Sequence, residues 1–183
     1  MGWILALMNR EIRGLHEAAY LLALFAFLSQ VLALVRDRAF AHLFGAGPTL
    51  DAYFAAFKIP DLLFAFLTLF VSSFAIIPLV AARGGVNTKE SQSLVGSVLL
   101  SFGVISIVAA GILFWTLPQL VPHVFVGFDA ATHHTVVELS RIMLVQPILL
   151  GLSSIIGALV QAARKFVLYA LAPIFYNLGI IFG

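Results

Sequence analysis

The sequence predicts an all-α fold, a polytopic transmembrane helix bundle with four complete spans and the start of a fifth. Two observations predict it. Long apolar stretches fill the chain, the clearest being Ala18–Val35, Leu62–Ala82 and Leu94–Thr116. Each is long enough, at ~1.5 Å rise per residue, to cross a ~30 Å hydrocarbon slab as a helix. The composition agrees: 62% of residues are hydrophobic and 10% are charged, with mean hydropathy +1.11. A soluble domain carries about a quarter charged residues, so lipid is expected to be the solvent for most of this chain.

Residues 1–14 read as a short amphipathic lead-in at the interface, with Trp3 on its apolar side and Arg10, Glu11 and Arg13 on its polar side. The first helix is expected over about 15–43, longer than a bilayer needs, so it tilts or projects. Gly45-Ala46-Gly47-Pro48 ends it, because the glycines permit unusual backbone angles and Pro48 suits the first turn of a new helix. The second helix is expected over about 49–82, kinked where Pro60 and Pro78 each remove a backbone donor. A polar loop, Arg83–Glu90, follows.

The third helix is expected over about 91–117, with Pro118 and Pro122 opening a looser segment that contains Asp129, His133 and His134. The fourth covers about 134–163 with a kink at Pro147, and the fifth about 167–183. Ala172–Gly183 reads as the middle of a helix, since a chain rarely stops inside hydrocarbon with unpaired carbonyls; a fragment of a longer product is therefore expected. Gly96, Gly103, Gly111, Gly151 and Gly157 are expected to permit close helix packing.

Several function classes are disfavoured. There are no cysteines, so thiolate chemistry and Cys-based metal sites are excluded. No nucleophile–base pair, phosphate-binding loop or metal motif is present, so neither an enzyme nor a cofactor is expected. His133 and His134 are adjacent and point in different directions on a helix, which fits surface loop residues better than a metal site. A net charge of +2 gives no reason to expect a nucleic-acid partner. Lys and Arg in the short connections favour a cytoplasmic N-terminus: Arg10, Arg13, Arg83, Lys89, Arg164 and Lys165 would be inside, and Arg36, Arg38, Lys58 and Arg141 outside. Arg141 reads as an interfacial anchor.

Three of the outer cations cluster around the first helical hairpin. Residues seven apart share a helix face, which pairs Ser29 with Arg36, Gln30 with Asp37, and Asp51 with Lys58, with Asp61 one turn further on. The hairpin is expected to gather Arg36, Arg38 and Lys58 with Asp37, Asp51 and Asp61. One reading is a hydrophilic cavity that binds an anion, since guanidinium forks suit phosphate oxygens. The other is a set of surface residues that snorkel to water, with Asp51 complementing a helix dipole.

At this hairpin the sequence LSQVLALVRDRAFAHLFGAGPTLDAYFAAFKIPDLL resembles the start of the MurJ/MviN family of lipid II flippases. Ser29, Arg36, Asp37, the Phe44–Gly47 run, Asp51, Ala52, Ile59, Pro60, Ser73 and Pro78 carry the match. Arg141, Pro147, Phe166, Pro173 and Asn177 extend it to the fourth and fifth helices. The resemblance implies a two-lobed inner-membrane transporter, with this chain supplying most of the first lobe. It implies alternating access of an undecaprenyl-pyrophosphate-linked peptidoglycan precursor, held by cavity cations. On that basis Arg36, Arg38 and Lys58 are the expected pyrophosphate-binding residues, and Ser29, Gln30, Asp37, Asp51 and Asp61 the expected polar or gating residues. The implied partners are the bilayer, the lipid-linked glycan and the remaining helices of the transporter.

The sequence also departs from the family pattern. Gln30, Phe64 and Ala65 stand where the family has arginines, Leu69-Phe70 where it has Glu-Gly, and Phe74 where it has Gln. Lys58 replaces an arginine and offers a point charge in place of a fork. An exporter of another polysaccharide-lipid or of a drug, or a non-transporting membrane scaffold, are the alternatives that these losses keep open.

Overall fold

The computed structural model describes residues 14–45, 47–70, 73–86 and 88–182, without the side chains of residues 15, 70 and 73–76. Residues 1–13, which hold almost all of the expected lead-in, lie outside the described residues. All regular structure among the described residues is helical: α1 (Leu15–Phe44), α2 (Pro48–Phe70), α3 (Ser73–Ala82), α4 (Lys89–Val124), α5 (Ala130–Met143), α6 (Val145–Ala162) and α7 (Phe166–Phe182). Four stretches are long and apolar enough to cross a membrane, His16–Phe44, Pro48–Leu69, Lys89–Val124 and Ala130–Ala162, and the shorter apolar α7 follows them. The expected fold class is thus the observed one.

The core lies between α2 and α6. On α2, Ala52, Ala55, Ala56, Ile59, Leu63 and Leu67 are buried. Their three- and four-residue spacing draws one stripe down the helix. Small residues dominate its first half, which lets α5 approach closely, and Val136 and Val137 of α5 are buried in the same cluster. Phe102, Ala110, Leu117 and Val121 complete the core from α4, and Ile155 and Ala158 from α6. Large apolar side chains such as Leu34, Leu69, Leu100 and Trp115 remain outward. Lipid, not water, is the physical solvent for such a surface.

α1 stands apart from this core. It packs chiefly on α7, with a smaller contact to α2, and Ala18 and Val167 form the buried centre of that seam. Ala18 meets Val167 near the start of both helices, while Ser29 meets Asn177 further along, so the two helices run parallel. Parallel packing is what a first and a fifth span of alternating direction require.

Several boundaries differ from expectation. α4 continues through Pro118 and Pro122 to Val124 and spans roughly 54 Å at ~1.5 Å per residue. The expected loose segment shrinks to Phe125–Asp129. Asp129 caps α5 by accepting the Thr132 amide at 2.9 Å, so His133 and His134 lie in the first turns of a helix and not in a loop. The expected 134–163 helix is divided at Leu144, three residues before Pro147, whose missing N–H leaves the Met143 carbonyl without its helical donor. The expected 49–82 helix is described as α2 and α3, with residues 71 and 72 outside the described residues.

The packing glycines divide as well. A Cβ at Gly151 would sit inside the ring of Phe102, and one at Gly157 would press on Tyr169. Gly96, Gly103 and Gly111 have open space where a Cβ would go, so α4 uses none of its glycines for close approach among the described residues.

Candidate functional site

The polar residues of α1, α2 and α7 converge on one cavity of about 280 Å³. α1 contributes Arg36 and Phe40, one turn apart. α2 contributes Tyr53, Phe54, Phe57, Lys58 and Asp61. α7 contributes Tyr176 and Ile180. The four-residue steps 36–40, 53–57–61, 54–58 and 176–180 show why: each helix presents one face to a shared space.

Arg36 is held from two sides. Its Nε donates to Asp37 Oδ1 at 2.9 Å, and its Nη2 lies 2.8 Å from the same oxygen. Its Nη1 donates to Asn177 Oδ1 at 3.1 Å. The Asn177 amide in turn donates through Nδ2 to Ser29 Oγ at 3.0 Å, to the Ser29 carbonyl at 3.3 Å and to the Pro173 carbonyl at 3.0 Å. Ser29 and Asn177 are buried, and the Arg36 side chain is 21% exposed. The guanidinium is therefore fixed in direction while part of it still faces the cavity.

Across the cavity, Asp61 accepts a hydrogen bond from Gln146 Nε2 of α6 at 3.2 Å. Lys58 lies one turn earlier on the same helix, exposed and part of the same lining. The wall is aromatic. Tyr53 packs edge-on against Phe40, with centroids 5.4 Å apart, and against Phe57 at 5.0 Å. Such edge-to-face clusters stiffen a wall at little entropic cost. The whole arrangement is a small pocket with aromatic walls that holds two cations, Arg36 and Lys58, and one carboxylate, Asp61, with a second carboxylate, Asp37, paired to Arg36.

The expected residues are not all brought together. Arg36, Lys58 and Asp61 line the cavity, Asp37 braces Arg36, and Ser29 is buried behind it on the α1–α7 seam. Arg38 is exposed and outside the lining, because two residues along a helix is roughly a 200° turn from Arg36. Gln30 is exposed on another side of α1. Asp51 shares the Lys58 face but sits about two turns away, near the start of α2, where its charge complements the helix dipole. The first hairpin alone does not build the site. α7 supplies its third side, since α1 packs more on α7 than on α2.

Sequence reasoning missed Asn177, Gln146, Tyr53 and Tyr176 as site residues. One signal was available for Asn177: it is the sole amide or charged residue in a 17-residue apolar helix, and polar groups at membrane depth face the bundle interior. Arg141, expected as an interfacial anchor, makes two protein contacts. Its guanidinium lies 4.6 Å from the Phe114 ring centroid, and its Nε donates to the Phe114 carbonyl at 3.2 Å. His133 Nε2 lies 2.8 Å from the Phe125 carbonyl oxygen and His134 Nδ1 3.7 Å from Glu138 Oε2, so the two rings serve separate contacts.

Comparison with known proteins places this chain in a family. The family profile described as "Lipid II flippase MurJ" matches residues 40–183. The chain is 29% identical over 171 residues to a "Probable lipid II flippase MurJ" of Rickettsia prowazekii, covering 91% of this chain and 33% of the relative. It is 32% identical over 165 residues to the protein of the same name from Buchnera aphidicola, covering 87% and 32%. It is 30% identical over 169 residues to the "Lipid II flippase MurJ" of Thermosipho africanus, covering 91% and 34%. The chain thus spans about a third of the length of the curated relatives it matches. With the profile covering most of its residues and its apolar helices packed as a multi-pass membrane bundle, the chain belongs to the MurJ lipid II flippase family.

Proposed function

We propose that this chain forms most of one lobe of a bacterial inner-membrane flippase for a lipid-linked oligosaccharide, the lipid II peptidoglycan precursor, with the N-terminus cytoplasmic. The observation that carries the reading is Arg36 and Lys58 facing one 280 Å³ cavity, with Arg36 fixed by Asp37 and Asn177. Its bonds to these two residues use three of the guanidinium's roughly five N–H groups. The rest are left to grip a phosphate oxygen, and Lys58 adds a mobile point charge on the far side. Arg38, exposed on α1 outside the cavity lining, would meet the pyrophosphate only before it enters. Asp61, held by Gln146, balances the cavity charge when the anion has left, Ser29 supports Asn177 behind Arg36, and Asp51 and Gln30 are polar residues outside the cavity lining.

The chemistry is translocation without bond making, so no enzymatic step is assigned. Alternating access requires a second lobe against which this one rocks. The partners are therefore the bilayer, the undecaprenyl-pyrophosphate-linked glycan and the remaining helices of a full-length transporter. The test uses the full-length protein reconstituted in vesicles with a lipid-linked precursor. Arg36→Ala is expected to lower translocation by at least about tenfold, as loss of a charge-assisted contact does. Translocation equal to that of the unsubstituted protein would remove Arg36 from the mechanism.

A second reading has its own observation. Phe64 and Ala65 put apolar surface where the resemblance expects two arginines, leaving a cavity with two lining cations. An exporter of another polysaccharide-lipid, or a scaffold that no longer transports, would fit that thinning. Rescue of a flippase-depleted bacterium by the full-length gene separates these from the lipid II reading.

A further inference from the structure

Proline removes the hydrogen bond that its own N–H would give to the carbonyl four residues earlier. For Pro60 that carbonyl belongs to Ala56, and for Pro118 to Phe114. In lipid such an orphaned carbonyl is costly unless another donor reaches it. Both are reached. Ser140 Oγ donates to the Ala56 carbonyl at 3.0 Å, in a fully buried contact. Arg141 Nε donates to the Phe114 carbonyl at 3.2 Å. The two donors are neighbours in sequence on α5, and the two acceptors lie on different helices, α2 and α4.

Coincidence is a poor account of this pairing. Among the described residues, three carbonyls inside one helix accept a side-chain bond from another helix: Ala56, Phe114 and Ser29. Two of these three are the acceptors that a proline has freed. An interior carbonyl elsewhere along α2 or α4 already accepts from the N–H four residues on, whereas α5 meets α2 at its one internal proline gap and α4 at the first of its two, the second being the Pro118 carbonyl that Pro122 frees.

We propose that α5 is a splint: Ser140 and Arg141 replace the hydrogen bonds that Pro60 and Pro118 cannot make, and so hold two interrupted helices in one register. The consequence reaches the cavity. The rung completed by Ser140 spans Ala56–Pro60, the turn that contains Lys58 and immediately precedes Asp61, and Gln146 fastens Asp61 from the next helix. Ser140 is thus a positioning residue for the cavity face of α2. That last step rests on the anion-site reading; the splint itself does not.

The test is a double-mutant cycle on the full chain in mixed micelles, read as the folded-to-unfolded ratio during SDS titration. Ser140→Ala is expected to lower that ratio roughly tenfold, as a lost buried hydrogen bond does. In a Pro60→Ala background the new N–H of residue 60 bonds to Ala56, and the same substitution is expected to cost less than about twofold. Equal losses in both backgrounds overturn the proposal. Should Ser140→Ala fail to fold, Ser140→Cys keeps the size with a weaker donor and is judged by the same comparison. Arg141→Met is expected to lose less in Pro118→Ala than in the parent, with a remainder from its contact with the Phe114 ring; an unchanged loss counts against the second half of the splint.

The positioning step has a separate readout, the binding of inorganic pyrophosphate. Ser140→Ala is expected to weaken it several-fold and Ser140→Thr to restore it. No effect of Ser140→Ala on binding overturns the positioning step. If the unsubstituted chain binds no pyrophosphate, the anion-site reading and the positioning step fall together, and the cycle still decides the splint.

Discussion

Asn177 on α7 accepts a hydrogen bond from Arg36 on α1, at 3.1 Å, and its other amide atom reaches Ser29 on that same helix. One side chain thereby orients the cavity guanidinium and joins the two helices. Asn177→Ala is expected to destabilise the fold by about 1–2 kcal/mol, since individual interhelical bonds in membranes average well below 1 kcal/mol and several are lost here. SDS titration followed by circular dichroism measures this. A change below a few tenths of a kcal/mol would show that α1 is held by the apolar seam alone.

Gly151 admits the ring of Phe102. Gly151→Ala is expected to cost about 1–3 kcal/mol, because the added methyl forces α4 and α6 apart. Phe102→Leu in the same chain should recover part of the loss. Gly103→Ala, one residue further along α4, meets open space and is expected to be neutral or slightly stabilising. Equal behaviour of Gly151→Ala and Gly103→Ala in thermal unfolding would refute the packing argument.

Two helix ends close with the same hydrogen-bond pattern but different residues. After α3, Gly85 N donates to the Val80 carbonyl and Gly84 N to Ala81, with Gly84 at φ 81°. After α6, Lys165 N donates to Val160 and Arg164 N to Gln161, with Arg164 at φ 59°. A left-handed arginine bears a steric cost that glycine does not. Arg164→Gly is expected to raise stability by about 1 kcal/mol, measured by the same titration. A loss would mean that the Arg164 charge matters more than its backbone strain.

Asp129 gives a pH prediction. Hydrogen bonds from Thr132 to this exposed carboxylate hold its pKa below the ordinary carboxylate value. A lowered folded-state pKa means that the capping stabilisation is complete above the unfolded value of about 3.9 and disappears as the pH falls through the folded one. Asp129→Asn caps without titrating. The difference in unfolding midpoint between the two chains should therefore shrink or reverse on going from neutral to strongly acidic pH. A difference that stays constant would remove Asp129 as the source.

The spans were legible because lipid imposes a length and an apolar content that few other constraints can mimic. The end of α4 was not. Pro118 reads locally as a stop, and the donor that satisfies the Phe114 carbonyl comes from Arg141, 27 positions away. The site was half legible. Resemblance singled out Arg36, Arg38 and Lys58, and helical spacing placed Arg36 and Lys58 each on a face. The same spacing excludes Arg38, a step that matching charges alone did not take. The third wall could not be read, because nothing local in Asn177 or Tyr176 announces which helix they will meet.

The pairing of α1 with α7 has a consequence for how the chain is made. Arg36 and Asn177 are 141 positions apart. At roughly 5–20 residues per second of synthesis, the guanidinium waits about 7–30 s for its amide partner. Asp37, the very next residue, is a counter-charge that emerges with it. The adjacent carboxylate is therefore expected to shield the nascent α1 during the delay, in addition to bracing Arg36 in the folded chain. Asp37→Asn should impair membrane insertion of α1 in a ribosome-arrested chain that stops before residue 166, and much less in the complete one. Equal insertion in the arrested chains would mean that the delay is harmless.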